Sequence, residues 1–102
     1  MKQYKIQIDK EALEDIQNAS DWYNLASKGL GARFQKQVKA QVNTLSKNPL
    51  AYGIRYDAVR GMLLKKFPFL IHFTVDETKK IVKIFGVFHT SRNPEIWKTR
   101  KQ

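Results

Sequence analysis

One histidine and two arginines fall within twelve residues of one another near the carboxyl end: His89, Arg92 and Arg100. An unperturbed imidazole titrates near pH ~6.5, so His89 could act as a general base or acid at neutral pH. A guanidinium offers a planar fork that holds a phosphate bidentately, which suits Arg92 and also Arg60. Lys65 and Lys66 could add charge, and Trp97 could stack on an unpaired base. These are parts for metal-independent RNA cleavage. In that reaction a neighbouring 2′-hydroxyl attacks phosphorus, a base accepts its proton and an acid protonates the leaving oxygen. Cations stabilise the charge that grows on the phosphoryl oxygens.

Each of these side chains also has an ordinary structural reading. His89 could cap a strand end, Arg92 could pair with Glu95, and Arg60 could be a solvated arginine in a turn beside Gly61. Trp97 could plug the core, and His72, between apolar neighbours, reads as structural. Other chemistries lack their residues. Two histidines and no cysteine give no zinc spacing. No glycine-rich phosphate loop follows a strand. Ser91 lies near His89, but no aligned acid or nucleophile elbow accompanies it. Glu11 and Asp15, four apart, read as a solvated first helical turn. Neither metal nor cofactor is expected.

The elements that would position these groups follow from the apolar pattern. Tyr4, Ile6 and Ile8 alternate with polar residues, which predicts a short strand with one buried face. Asp9 is placed to cap a helix to about Ser27, and Ala12, Ile16, Ala19, Tyr23 and Ala26 form its apolar stripe, widened by Leu13. Trp22 lies off that stripe. Lys28-Gly29-Leu30-Gly31 permits a tight reversal. A second helix carries Leu30, Phe34, Val38, Val42 and Leu45 inward and Arg33, Lys36, Lys39 and Lys47 outward, until Asn48-Pro49 stops it. Ile54 to Val59 suggests a strand, Arg60-Gly61 a turn, and Met62 to Phe67 another run. Pro68 would interrupt a ladder hydrogen bond, so it marks a bulge or a strand boundary.

Phe69 to Val75 and Ile81 to Phe88 flank the charged turn Asp76–Lys80 and read as a β-hairpin. The second run is apolar at odd and even positions, as in a central strand covered on both faces. Phe69, Ile71, Phe73 and Val75 would face the helices. Leu70, His72 and Thr74 are lighter and more polar, as on a face open to a partner. Asn93-Pro94-Glu95 can begin a short final helix or turn, with Pro94 at its first position. Helices first and strands grouped after them argue an α+β fold: an N-terminal strand, an antiparallel helix hairpin, a three- to four-stranded antiparallel sheet and a short C-terminal helix.

The 102 residues suit a single domain, residues 1–102, and with 42% hydrophobic side chains can bury one modest core. The formal charge is +10 and uneven: residues 1–27 hold three basic and five acidic side chains, residues 28–102 sixteen and four. A field of that sign attracts phosphate backbones or an acidic protein. The lack of cysteine fits a reducing compartment, and no apolar run reaches the roughly 18 residues of a membrane span. A soluble cytoplasmic protein without a membrane partner is expected.

In this order the residues resemble the RelE/ParE superfamily, the toxins of bacterial type II toxin–antitoxin modules. The matching pieces are Ala12 to Ile16 with Trp22-Tyr23, Gly29-Leu30-Gly31 with Phe34, and Leu45 through Asn48-Pro49. Further on they are Phe67-Pro68-Phe69 with Ile71, then Val75-Asp76-Glu77, then His89 with Arg92, Pro94, Trp97 and Arg100. The resemblance covers nearly the whole chain. It implies one of two activities, ribosome-dependent cleavage of messenger RNA or, in the ParE branch, poisoning of DNA gyrase. It also implies silencing by a cognate, usually acidic antitoxin. As a ribonuclease the chain would use His89, Arg92 and Arg60, with Lys65, Lys66, Trp97 and Arg100 binding nucleic acid or target. Several ribonuclease members carry an arginine where this chain has Phe69. Their lysine pair falls near Arg60 and Met62, and Trp97 replaces a terminal tyrosine. These departures favour the ParE-like branch over a RelE-like endoribonuclease or a non-toxic relative keeping the fold.

Overall fold

The computed structural model describes residues 3–91. Strand β1 (Lys5–Ile8) leads into helix α1 (Lys10–Ala26), followed by α2 (Leu30–Thr44) and a short 3-10 turn at Pro49–Ala51. Four strands follow: β2 (Ile54–Tyr56), β3 (Val59–Leu63), β4 (Phe69–Asp76) and β5 (Ile81–His89). They form one five-stranded sheet in the order β1-β5-β4-β3-β2. The last four strands are antiparallel, as the hairpin pattern predicts. The sheet is nevertheless mixed, because β1 pairs in parallel with β5, Lys5 opposite Ile81 through Ile8 opposite Ile84. This makes β5 an interior strand, flanked by β1 and β4. The expected C-terminal helix lies outside the described residues.

The helix hairpin closes through two glycines with different tasks. Gly29 adopts φ +87°, a left-handed conformation in which a side chain would be strained. Gly31 stands where the helices touch: a Cβ there would lie 2.3 Å from the backbone oxygen of Ser20. Its N–H donates to Asn24 Oδ1 at 2.8 Å, and Gln35 Nε2 donates to the buried Ser20 Oγ at 2.9 Å. Beneath the hairpin, Ala12, Ala19 and Tyr23 of α1 and Phe34, Val38 and Val42 of α2 pack on Ile71, Phe73, Val82, Ile84 and Val87 of the sheet. Tyr23, Phe34, Phe67 and Phe69 form an aromatic knot with ring centroids 5.1–6.2 Å apart, mostly edge-on or tilted.

Several local expectations are corrected. Arg60-Gly61 does not turn the chain; both lie within β3, and the reversal occurs at Asp57-Ala58, where Asp57 takes the left-handed φ of 49°. Asp and Asn tolerate that region best among residues with a side chain. Asp9 occupies the cap position of α1 without a side-chain cap bond; its carboxylate lies 3.8 Å from Lys83 Nζ instead. Leu13 is 53% exposed and Ala26 is exposed, because α1 meets the sheet through Ala12, Ala19 and Tyr23. The second helix ends at Thr44, so Lys47 is not on it.

The second face of the sheet is not the open, polar surface expected. Leu70, His72, Phe85 and Phe88 are all buried on it. A bulge turns two phenylalanines of β5 onto it. Phe73 pairs with Ile84 and His72 with Gly86, leaving Phe85 as the extra residue of β5. The insertion flips the alternation, so Ile84 and Val87 both face the helices while Phe85 and Phe88 face away. The His72 ring lies 5.0 Å from Phe88 and 6.1 Å from Phe85, and its Nδ1 is 3.1 Å from the Tyr56 hydroxyl.

Candidate functional site

His89 ends β5, opposite Phe69, with its ring edge-on to that phenyl at 5.2 Å. It lines a groove of about 310 Å³ between β5 and α1, together with Asp15, Asn18 and Trp22 of the helix and Ser91 of the following turn. Trp22 is 63% exposed, which resolves its place off the apolar stripe. The groove exists because the strands differ in length. β1 stops opposite Ile84, and Asp9 N–H closes onto the Ile84 carbonyl before the chain turns into α1. Beyond that point no strand among the described residues lies beside the edge of β5, and Asp15 Oδ2 takes the Val87 N–H at 3.0 Å. Sequence alone reads Asp15 as a solvated first-turn acid; in the fold it substitutes for a missing strand.

The state of the His89 ring follows from its partners. Ser91 N–H, which can only donate, points at Nδ1 at 3.1 Å, and Ser91 Oγ is 2.8 Å from the same nitrogen. Nδ1 is therefore an acceptor, and the neutral ring carries its proton on Nε2. Such a ring offers a donor to the groove. To act as a base it must release Ser91 or change tautomer. Among the described residues no lysine or arginine lines this groove.

Arg60 sits elsewhere. It pairs with Phe73 on β4, four residues from Phe69, and β3 and β5 flank β4 on opposite sides. Strand geometry puts the Arg60 and His89 Cα atoms roughly 16 Å apart. The half-buried Arg60 guanidinium donates from Nη1 to the Tyr52 carbonyl at 2.6 Å, bracing the loop before β2. Lys65 and Lys66 are at the His89 end of the sheet, in the β3–β4 connection, where Thr90 N–H bonds the Pro68 carbonyl at 2.8 Å. Both lysines are exposed, and Lys66 holds φ at 72°. The fold thus brings His89, Lys65 and Lys66 to one end and leaves Arg60 at the other. Arg92, Trp97 and Arg100 lie outside the described residues.

A family model describing the ParE toxin of type II toxin–antitoxin systems (parDE) matches residues 6–94. The chain belongs to the ParE toxin family. The fold agrees. A chromosomal ParDE toxin–antitoxin system from P. aeruginosa superposes with a TM-score of 0.77 at 17% identity, over 86% of this chain and 97% of that one. The intact E. coli RelBE toxin–antitoxin complex gives 0.65 at 18% identity, over 87% and 99%. The isolated E. coli RelE toxin gives 0.63 at 17%, over 94% of each chain. No curated protein sequence matches significantly. Among the described residues of this ParE-family toxin there is no helix long and apolar enough to cross a membrane and no group of three metal-ligating side chains.

Proposed function

We propose that this ParE-family toxin arrests growth by binding DNA gyrase, rather than by cutting RNA, and that a cognate antitoxin neutralises it. The observation that carries the reading is the separation of Arg60 from His89. A ribonuclease site needs a base, an acid and cations around one phosphate. Here the Arg60 guanidinium is engaged with Tyr52, and the acceptor nitrogen of His89 is engaged with Ser91. A phosphate brought to His89 would also meet the Asp15 carboxylate across the groove. The exposed Trp22, with Asn18 beside it, suits a protein contact better than a phosphate. The antitoxin partnership is supported by the family and by the toxin–antitoxin complexes among the structural neighbours.

The test is induction in cells with two readouts. Plasmid topoisomers should relax while messenger RNA stays whole. Fragmented messenger RNA with normal supercoiling would replace this reading by the endoribonuclease one. Unimpaired growth with neither effect would leave a fold without toxicity.

A further inference from the structure

We propose that a cavity of about 390 Å³ between α2 and the β3–β4 connection, bounded by Arg33, Lys36, Gln37, Lys66, Leu30 and Phe67, docks an acidic, apolar-anchored peptide segment of the antitoxin. The proposal rests on the antitoxin partnership above and adds where its acidic chain sits.

Three observations carry it. Arg33, Lys36 and Lys66 surround the cavity, and among the described residues no aspartate or glutamate lines it. Three cations held together without an acid repel one another, and a carboxylate entering between them relieves that repulsion. The cluster is also built rather than floppy. Gln41 Nε2 donates to the Leu63 carbonyl at 3.1 Å, and its Oε1 accepts the Lys65 N–H at 2.7 Å, which clips the lysine-bearing loop to α2.

The third observation separates a peptide from nucleic acid. Lys65 N–H can only donate, so the Gln41 atom it meets must be the amide oxygen. Gln37 reaches that same oxygen at 2.7 Å and must present its NH₂ group. The Gln37 oxygen is thereby left as an acceptor at the cavity wall. A peptide N–H can use an acceptor there, whereas a phosphate has only acceptors to offer. The half-buried Leu30 and Phe67 form an apolar floor that suits an aliphatic side chain between acidic ones. A duplex backbone has no group to place on it.

The test measures binding of the full-length antitoxin, the protein encoded by the adjoining reading frame, to the purified toxin by calorimetry at two salt concentrations. Arg33→Glu with Lys36→Glu should weaken binding about tenfold or more and flatten its salt dependence. Lys66→Gly should weaken it severalfold while leaving folding intact, since glycine adopts the left-handed φ freely. Lys39→Glu, on the same helix outside the cavity, should change affinity less than about twofold. A 20-base-pair DNA duplex should not distinguish the Arg33/Lys36 variant from a Lys39→Glu, Lys47→Glu variant, which changes the net charge equally at exposed positions outside the cavity. If the antitoxin binds wild type and both cavity variants alike, the docking site is wrong and the partnership stands. If the cavity variants lose the duplex and keep the antitoxin, the pocket serves nucleic acid and the proposal is overturned. If the adjoining protein fails to bind wild type, the partnership falls and this site with it.

Discussion

The Asp15 carboxylate on α1 accepts the Val87 backbone N–H of β5 at 3.0 Å, across 72 residues of sequence. It closes the edge of β5 just where β1 has stopped, and it lines the groove beside His89. Removing it leaves a partly buried N–H without its charged acceptor. Asp15→Ala should therefore cost about 1.5–3 kcal/mol, read as a lower melting temperature with helix and strand content retained. Asp15→Asn, which keeps an acceptor oxygen, should cost less. A melt unchanged in both variants would show that the edge is closed by other means.

Gly31→Ala should destabilise although it raises helix propensity. The added methyl would sit 2.3 Å from the Ser20 carbonyl oxygen, a backbone atom that cannot swing away. The helices must separate locally, at roughly 1–3 kcal/mol. Denaturant titration should show the midpoint falling; a rise would mean the helix contact is looser than described.

Much of this architecture was legible in the sequence because it is written in local periodicity. The stripe from Phe34 to Leu45, the hairpin around Asp76–Lys80 and the boundary at Pro68 are all encoded by neighbours in sequence. The parallel pairing of β1 with β5 is not, since nothing within Lys5–Ile8 specifies which distant edge it joins. The bulge at Phe85 was hidden for a related reason. An apolar run reads the same whether one face is filled twice or both are filled once, so the buried second face around His72 was mistaken for an open one. Asp57 was overlooked as the turn residue because Gly61 nearby gave the stronger turn signal. Of the candidate site, residue type alone singles out His89 and the lysine pair, and the fold sets them at one end of the sheet. Gln37 and Gln41 were missed, although their spacing of four on α2 was the available sign of a linked amide pair.

Burial holds the Tyr23 hydroxyl above its ordinary value of 10.0; burial and then the Asp57 charge do the same for Tyr56. The folded protein therefore binds these protons more tightly than the unfolded chain. Their contribution to stability is complete below about pH 10 and declines as pH rises through the raised values. Urea midpoints between pH 9 and 11 should fall, and the decline should be shallower in a Tyr23→Phe, Tyr56→Phe double variant. An equal decline in that variant would show that these two hydroxyls are not its source.

Gln41→Leu should free the β3–β4 connection. It removes the bonds to Leu63 and Lys65, each worth about 1 kcal/mol. Hydrogen exchange at the Lys65 amide should quicken far more than at Ile84 in the sheet centre. Equal acceleration at both would mean global destabilisation instead.

Arg60→Ala and His89→Ala should behave differently if the two residues share no site. Losing the bond to the Tyr52 carbonyl should lower stability by roughly 1.5–3 kcal/mol, whereas His89→Ala should leave it within about 1 kcal/mol. Matching effects of both on RNA integrity, with stability unchanged, would instead mark a shared catalytic role.

The most direct measurement puts purified toxin into two reactions side by side: gyrase with relaxed plasmid and ATP, and ribosomes loaded with messenger RNA. The account predicts that supercoiling is blocked and the messenger stays full length. Supercoiling that proceeds normally, beside messenger RNA cut by wild type and spared by His89→Ala, would contradict it.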